Sequence, residues 1–226
     1  MDPFVLEIIL LLGAILLPAI AQGYIMMTYA RFNKQEAHKT KTGYDVAREI
    51  LDRNGLNSIY IVETSGKLSD HYDPTRKTIR LSHEVYHGNS VASLAIAAHE
   101  VGHAMQDKEG NTFMRIRSFI FPVVRFGTGI AYFVLLLGFI MEFFELIRLG
   151  IGLVALGLIF QLITLPVEFD ASKKAKAELD KINISDAKTQ NGVSSMLRSA
   201  ALTYVAGVLA SAMSIIRLIL IMNRRR

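Results

Sequence analysis

Cysteine is absent from this 226-residue chain. That excludes a disulfide framework and any thiolate metal site, so a bound metal would have to be held by His, Asp or Glu. It leaves the redox compartment open, because a cysteine-free chain tolerates either state. The chain also lacks an internal repeat and a low-complexity linker. No stripe of interleaved aromatic and basic residues is present, which argues against a nucleic-acid partner. The net charge of +5 lies largely beside apolar blocks, where Lys and Arg flank membrane segments.

Apolar residues make up 51% of the chain and mean hydropathy is +0.33, yet charged residues still reach 20%. The apolar residues are gathered into blocks instead of being spread as in a soluble domain. The first block carries no charge from Ile8 to Ala30, enough for a span of about 20 residues. Asp2 and Glu7 precede it with no basic residue, unlike a signal peptide, so it is expected to be a retained membrane helix, bent at Pro18. Further apolar blocks run from Phe119 to Met141, from Leu149 to Val167 and from Ser199 to Ile216. Buried core helices of a soluble protein are the alternative, which these lengths disfavour.

Between the first two blocks, Tyr44–Asn54 has helical spacing and ends at Gly55. Ser58–Glu63 and Lys77–Ser82 have strand character, Asp73-Pro74 marks a turn, and Ser90–Met105 is an apolar, Ala-rich helix. The expected organisation is an N-terminal transmembrane helix (1–30), a catalytic part (31–117), two transmembrane helices (118–167), a polar helix (168–198) and a C-terminal membrane helix with a basic tail (199–226). The basic residues after the first and third blocks place both polar regions in the cytoplasm. Four full spans would then leave the tail Arg224–Arg226 outside, so either the last block is re-entrant or interfacial, or the positive-inside rule fails at one end.

His99-Glu100-Val101-Gly102-His103 carries the chemistry. Residues four apart share one helix face, so both imidazoles can reach one metal, and Glu100 can stand beside a water as general base. The pattern occurs twice, since His83-Glu84-Val85-Tyr86-His87 also fits. The second copy sits within the helical run AIAAHEVGHAMQ, whereas Gly88-Asn89 stops the first after about one turn. The metal helix is therefore expected at His99–His103. His83 and His87 are expected to be solvent-exposed, with a secondary metal site as the alternative. A catalytic zinc takes three protein ligands and keeps an open position. Glu168 and Asp170, in LPVEFDASKKA, are better placed for the third ligand than the isolated His38 and His71; ordinary interfacial charge is the competing reading of both acids.

AIAAHEVGHAMQ and LPVEFDASKKA together resemble the YugP-type membrane zinc metallopeptidases, and the likeness extends through YDPTRKTIRLS and ALTYVAGVLASAM. More distantly the chain is similar to membrane gluzincins such as the HtpX-like and CAAX prenyl proteases. In that wider group the third zinc ligand is a Glu opening a Glu-aromatic-x-Ala-Asp segment, which Glu168-Phe169-Asp170-Ala171 matches in its first four positions. The resemblance thus implies His99, His103 and Glu168 as ligands of one catalytic Zn2+. The fifth position, often an Asp that orients a zinc histidine, is Ser172 here, so Asp170 or another group must serve. The resemblance further implies that Lys77–Ser82 is an edge strand pairing with an extended peptide, with an ordinary structural strand as the alternative; Tyr204 is a candidate oxyanion donor, with packing or interfacial anchoring as the competing reading.

The expected fold is a mainly α membrane protein of about four transmembrane or membrane-associated helices, with a small α+β zincin-like catalytic part. The expected function is zinc-dependent endopeptidase, acting on peptides or membrane proteins at the cytoplasmic face of the cell membrane. The main alternative is a metal-binding, non-peptidolytic scaffold or adaptor, against which the intact Glu100 weighs. A transporter is disfavoured because the apolar blocks are nearly free of charge.

Overall fold

The computed structural model describes residues 2–182, 184 and 187–224. Met1 of the first expected segment, three positions of the polar segment 168–198, and Arg225 and Arg226 of the basic tail lie outside the described residues. The elements run α1 (Pro3–Phe32), α2 (Gly43–Arg53), β1 (Tyr60–Thr64), β2 (His71–Asp73), β3 (Thr78–Ser82), α3 (His83–Tyr86), α4 (Val91–Lys108), α5 (Thr112–Ile140), α6 (Phe144–Lys181) and α7 (Ala187–Arg224). This is a mainly helical membrane protein with one small sheet. Two compact units divide the chain.

The first unit comprises Met1–Gln22, Ile116–Leu165 and Leu202–Arg226. Among the described residues, four helices are long and apolar enough to cross a membrane: Phe4–Phe32, Thr112–Ile140, Phe144–Lys181 and Lys188–Arg224. Helix is the form an apolar segment must take in lipid, where each backbone N–H and C=O has to be satisfied within the segment. α1, α5 and α6 continue through Pro18, Pro122 and Pro166. α7 is a single 38-residue helix, with no break at which a re-entrant segment could turn. Large apolar side chains of this unit point outward: Phe119 is 84% exposed and Phe126 71%. Such surfaces suit acyl chains and would be costly in water. Its interior holds Ala131, Leu135, Ile147, Val154 and Leu218. Among its polar groups, Glu7 pairs with Arg224 at 3.2 Å and Ser211 Oγ donates to Gln161 Oε1 at 3.0 Å.

The second unit comprises Gly23–Arg115 and Pro166–Ala201. α2 opens with a capping box: Asp45 N–H donates to Thr42 Oγ1 (3.3 Å) and Thr42 N–H to Asp45 Oδ2 (2.8 Å). Its apolar stripe, Val46, Ala47, Ile50 and Leu51, is fully buried. β1 pairs in parallel with β3, from Tyr60 opposite Thr78 to Thr64 opposite Ser82, and β2 pairs antiparallel to β3 on its other side. The order β1-β3-β2 corrects one expectation, because the 77–82 segment forms the central strand, not an edge. Both faces of β3 are largely buried, which local alternation could not reveal. α4 starts at the Ser90 cap, whose Oγ accepts the Ser93 N–H at 3.0 Å, and is buried along most of its length.

Candidate metal centre

His99 and His103 lie one turn apart on α4, their rings 4.8 Å apart and nearly perpendicular. α6 brings Glu168 against them: its Oε2 is 3.2 Å from His99 Nε2 and 3.7 Å from His103 Nε2. One ligand atom from each of the three side chains falls within 4.8 Å of the other two. This closeness depends on Gly102. A Cβ there would stand 2.6 Å from the Ala171 carbonyl oxygen, so only glycine lets α4 lie this near the α6 backbone. The site is buried, with His103 at 5% and Glu168 at 3% exposure. Glu100, next to His99 on the same helix, is also buried.

A chain of hydrogen bonds fixes the second imidazole. Gln106 is fully buried, and its side-chain nitrogen donates to the Val167 carbonyl and to Asp170 Oδ2, both at 2.8 Å. The Val167 carbonyl can only accept, since it carries no proton. The amide is therefore oriented with Oε1 toward His103, 3.0 Å from Nδ1. Nδ1 must then carry a proton and donate it, so that Nε2 is the nitrogen turned toward Glu168 and available to a metal once it is deprotonated. At the first imidazole, Ser172 Oγ stands 3.3 Å from His99 Nδ1, within reach of the same kind of bond.

Asp170 and Ser172 thus sit behind the His103 and His99 rings respectively, Asp170 through Gln106. Tyr204 lies on α7, half-buried, in the other unit. His38 Nδ1 accepts the Thr40 and Lys41 N–H groups, and His71 lies on β2 beside the Ser69 carbonyl; neither joins the three-residue group. Gln106 had no assigned role in the sequence. Its only signal there is its place three residues after His103, on one helix face.

Two imidazoles and a carboxylate converging from two helices form a donor set that suits zinc, which takes three protein ligands in catalytic sites. The Nδ1 contacts fit the same ion, because each ring can hold its proton on the far side and present a free Nε2.

The class follows from comparison with known proteins. Residues 7–223 match the family described as "Putative neutral zinc metallopeptidase", and the chain belongs to that family. It is similar to "Putative membrane protease YugP" of Bacillus subtilis (strain 168), with 42% identity over 216 residues that cover 96% of each chain. No solved structure matches it.

Proposed function

We propose that this protein is a membrane-embedded, zinc-dependent endopeptidase whose ion is held by His99, His103 and Glu168, with Glu100 as general base. The convergence of the two α4 imidazoles on the α6 carboxylate carries this reading. Zinc, when bound, supplies the Lewis acidity that makes a water nucleophilic near neutral pH and polarises a scissile carbonyl. Glu100 takes the proton that the attacking water loses as its oxygen bonds to the carbonyl carbon. As the carbon–nitrogen bond breaks, Glu100 returns a proton to the leaving amine. Gln106 and Ser172 hold the two rings so that neither imidazole has to reorganise during turnover.

Two candidate spans, α5 and the apolar part of α6, separate His103 from Glu168 along the chain. An even number of crossings returns the chain to one side, which is compatible with a shared site. The basic residues following α1 and on α6 favour the cytoplasmic side. A site so close in sequence to spans suits membrane proteins or their flanking segments as substrates. Equal cleavage of soluble and membrane-anchored versions of one peptide would remove that preference.

The test is a pair of variants. Glu100→Ala is expected to keep zinc at this site while hydrolysis of a membrane-anchored reporter peptide falls by about 10²–10⁴-fold, the usual contribution of a general base. His103→Ala is expected to lose both. Hydrolysis at the wild-type rate by Glu100→Ala would take the base role from Glu100, and full zinc retention at this site in His103→Ala would take away the centre.

A further inference from the structure

The earlier copy of the motif gathers its own carboxylate from a distant segment. His83 and His87 bracket the short helix α3, their rings 4.8 Å apart. Glu63, near the end of β1, reaches both: Oε1 is 2.6 Å from His83 Nδ1 and Oε2 is 3.1 Å from His87 Nε2. One ligand atom from each lies within 4.8 Å of the others, the same criterion that the buried trio meets. We propose that Glu63, His83 and His87 form a second metal site, on the surface, for a zinc-class divalent cation.

Three features support a site. The donor set of two imidazoles and one carboxylate selects transition-metal ions over calcium or magnesium, which prefer oxygen ligands. Ligand atoms on one tetrahedral zinc stand about 3.3–3.5 Å apart at bond lengths of about 2.0–2.2 Å, so exposed side chains need only small rotations. The backbone around the ligands is also anchored. Asp70 accepts the Ser82 N–H (2.7 Å) and hydroxyl (3.2 Å), fixing the residue before His83. Ser93 Oγ on α4 donates to the Glu84 carbonyl at 3.0 Å, tying the turn between the two histidines to the neighbouring helix. Each exposed ring can pass its proton to the nitrogen facing solvent and free the other for the ion.

This copy binds but does not hydrolyse. Its internal acid, Glu84, is the counterpart of Glu100 by position, and both its oxygens are engaged. Oε2 accepts the Tyr29 hydroxyl at 2.7 Å, and Oε1 pairs with Lys67 Nζ at 3.0 Å. A carboxylate held this way is a poor base for a water on the ion. The outcome of binding is instead a clip joining the end of β1 to α3.

The experiment uses the full-length protein in detergent, without a polyhistidine tag, stripped by chelator and dialysed against buffered micromolar free Zn2+. Zinc per chain is counted for wild type, His83→Ala/His87→Ala, Glu63→Ala and His99→Ala/His103→Ala. Two ions are expected in wild type and one in each double variant, with the second site at least about tenfold weaker in Glu63→Ala. A wild-type count in His83→Ala/His87→Ala overturns the proposal. So does a single wild-type ion that His99→Ala/His103→Ala loses. A single ion lost only in His83→Ala/His87→Ala instead supports this site and removes the catalytic one, so the two readings fail separately. Zinc-loaded His99→Ala/His103→Ala is expected to show no peptide hydrolysis, and cleavage by it would overturn the non-hydrolytic assignment. Because these side chains are exposed, the metal-free variants should unfold at the wild-type temperature; a large drop accompanied by loss of both ions in His83→Ala/His87→Ala would overturn the assignment of a separate surface site.

Discussion

Replacing Gln106 by Met keeps volume and flexibility in the core while removing both the acceptor for His103 and the donor for Asp170. The ring then loses the 3.0 Å contact that fixes its proton on Nδ1. Both tautomers and a rotated ring become accessible, and the metal must select one. Loss of such a contact typically weakens metal affinity by about 10–100-fold. That corresponds to about 1.4–2.8 kcal/mol, at about 1.4 kcal/mol for each factor of ten. A second loss falls on the apo protein, where Asp170 gives up a 2.8 Å bond in a partly buried setting at a cost of about 1–3 kcal/mol. The assay is competition for Zn2+ against a chelating fluorophore at fixed pH, with the thermal unfolding midpoint of the metal-free protein beside it. Gln106→Glu is the informative companion. It keeps an acceptor for His103 but sets a second carboxylate beside Asp170, so it should hold zinc more tightly than Gln106→Met while unfolding earlier. A Gln106→Met protein with zinc affinity within about twofold of wild type would refute the orienting chain.

Two further outcomes are expected. Gly102→Ala puts a methyl group 2.6 Å from a backbone oxygen, where ordinary contact begins at 3.4 Å, so α4 and α6 must separate. Metal sites tolerate about 0.2 Å in ligand distance, so zinc affinity should fall even if the protein stays folded, as the same competition assay would detect. Thr42→Ala removes half of the α2 capping box and should cost about 1 kcal/mol, seen as a midpoint lowered by about 2–4 °C with zinc affinity unchanged.

The α4 helix was legible because its signals agree: small and apolar residues along most of its length, and two histidines four apart. The duplicate motif could not be sorted by pattern, since both copies fit it equally; the flanking Gly88-Asn89, which limits α3 to one turn, carried the distinction. The four apolar helices were legible by length, but their ends were not. α6 runs unbroken across the change from apolar to polar sequence at Val167, because a helix ends where its backbone bonding ends and not where its hydropathy changes. The three-residue β2 is too short to leave a periodic trace, and without it β3 could not be recognised as central. Gln106 escaped notice because its role depends on Val167 and Asp170, more than sixty positions away, and no local pattern encodes that meeting.

The span of sequence between the two halves of the buried trio has a consequence for biosynthesis. Glu168 follows His99 by 69 residues, with all of α5 and the apolar stretch of α6 in between. A nascent chain that has just completed α4 holds two imidazoles and no third donor, and such a pair retains zinc weakly. The donor set closes only once α6 has left the ribosome and lies against Gly102. On the proposed ligand set, the chain would therefore stay inactive until its third apolar helix has been made and Glu168 follows it.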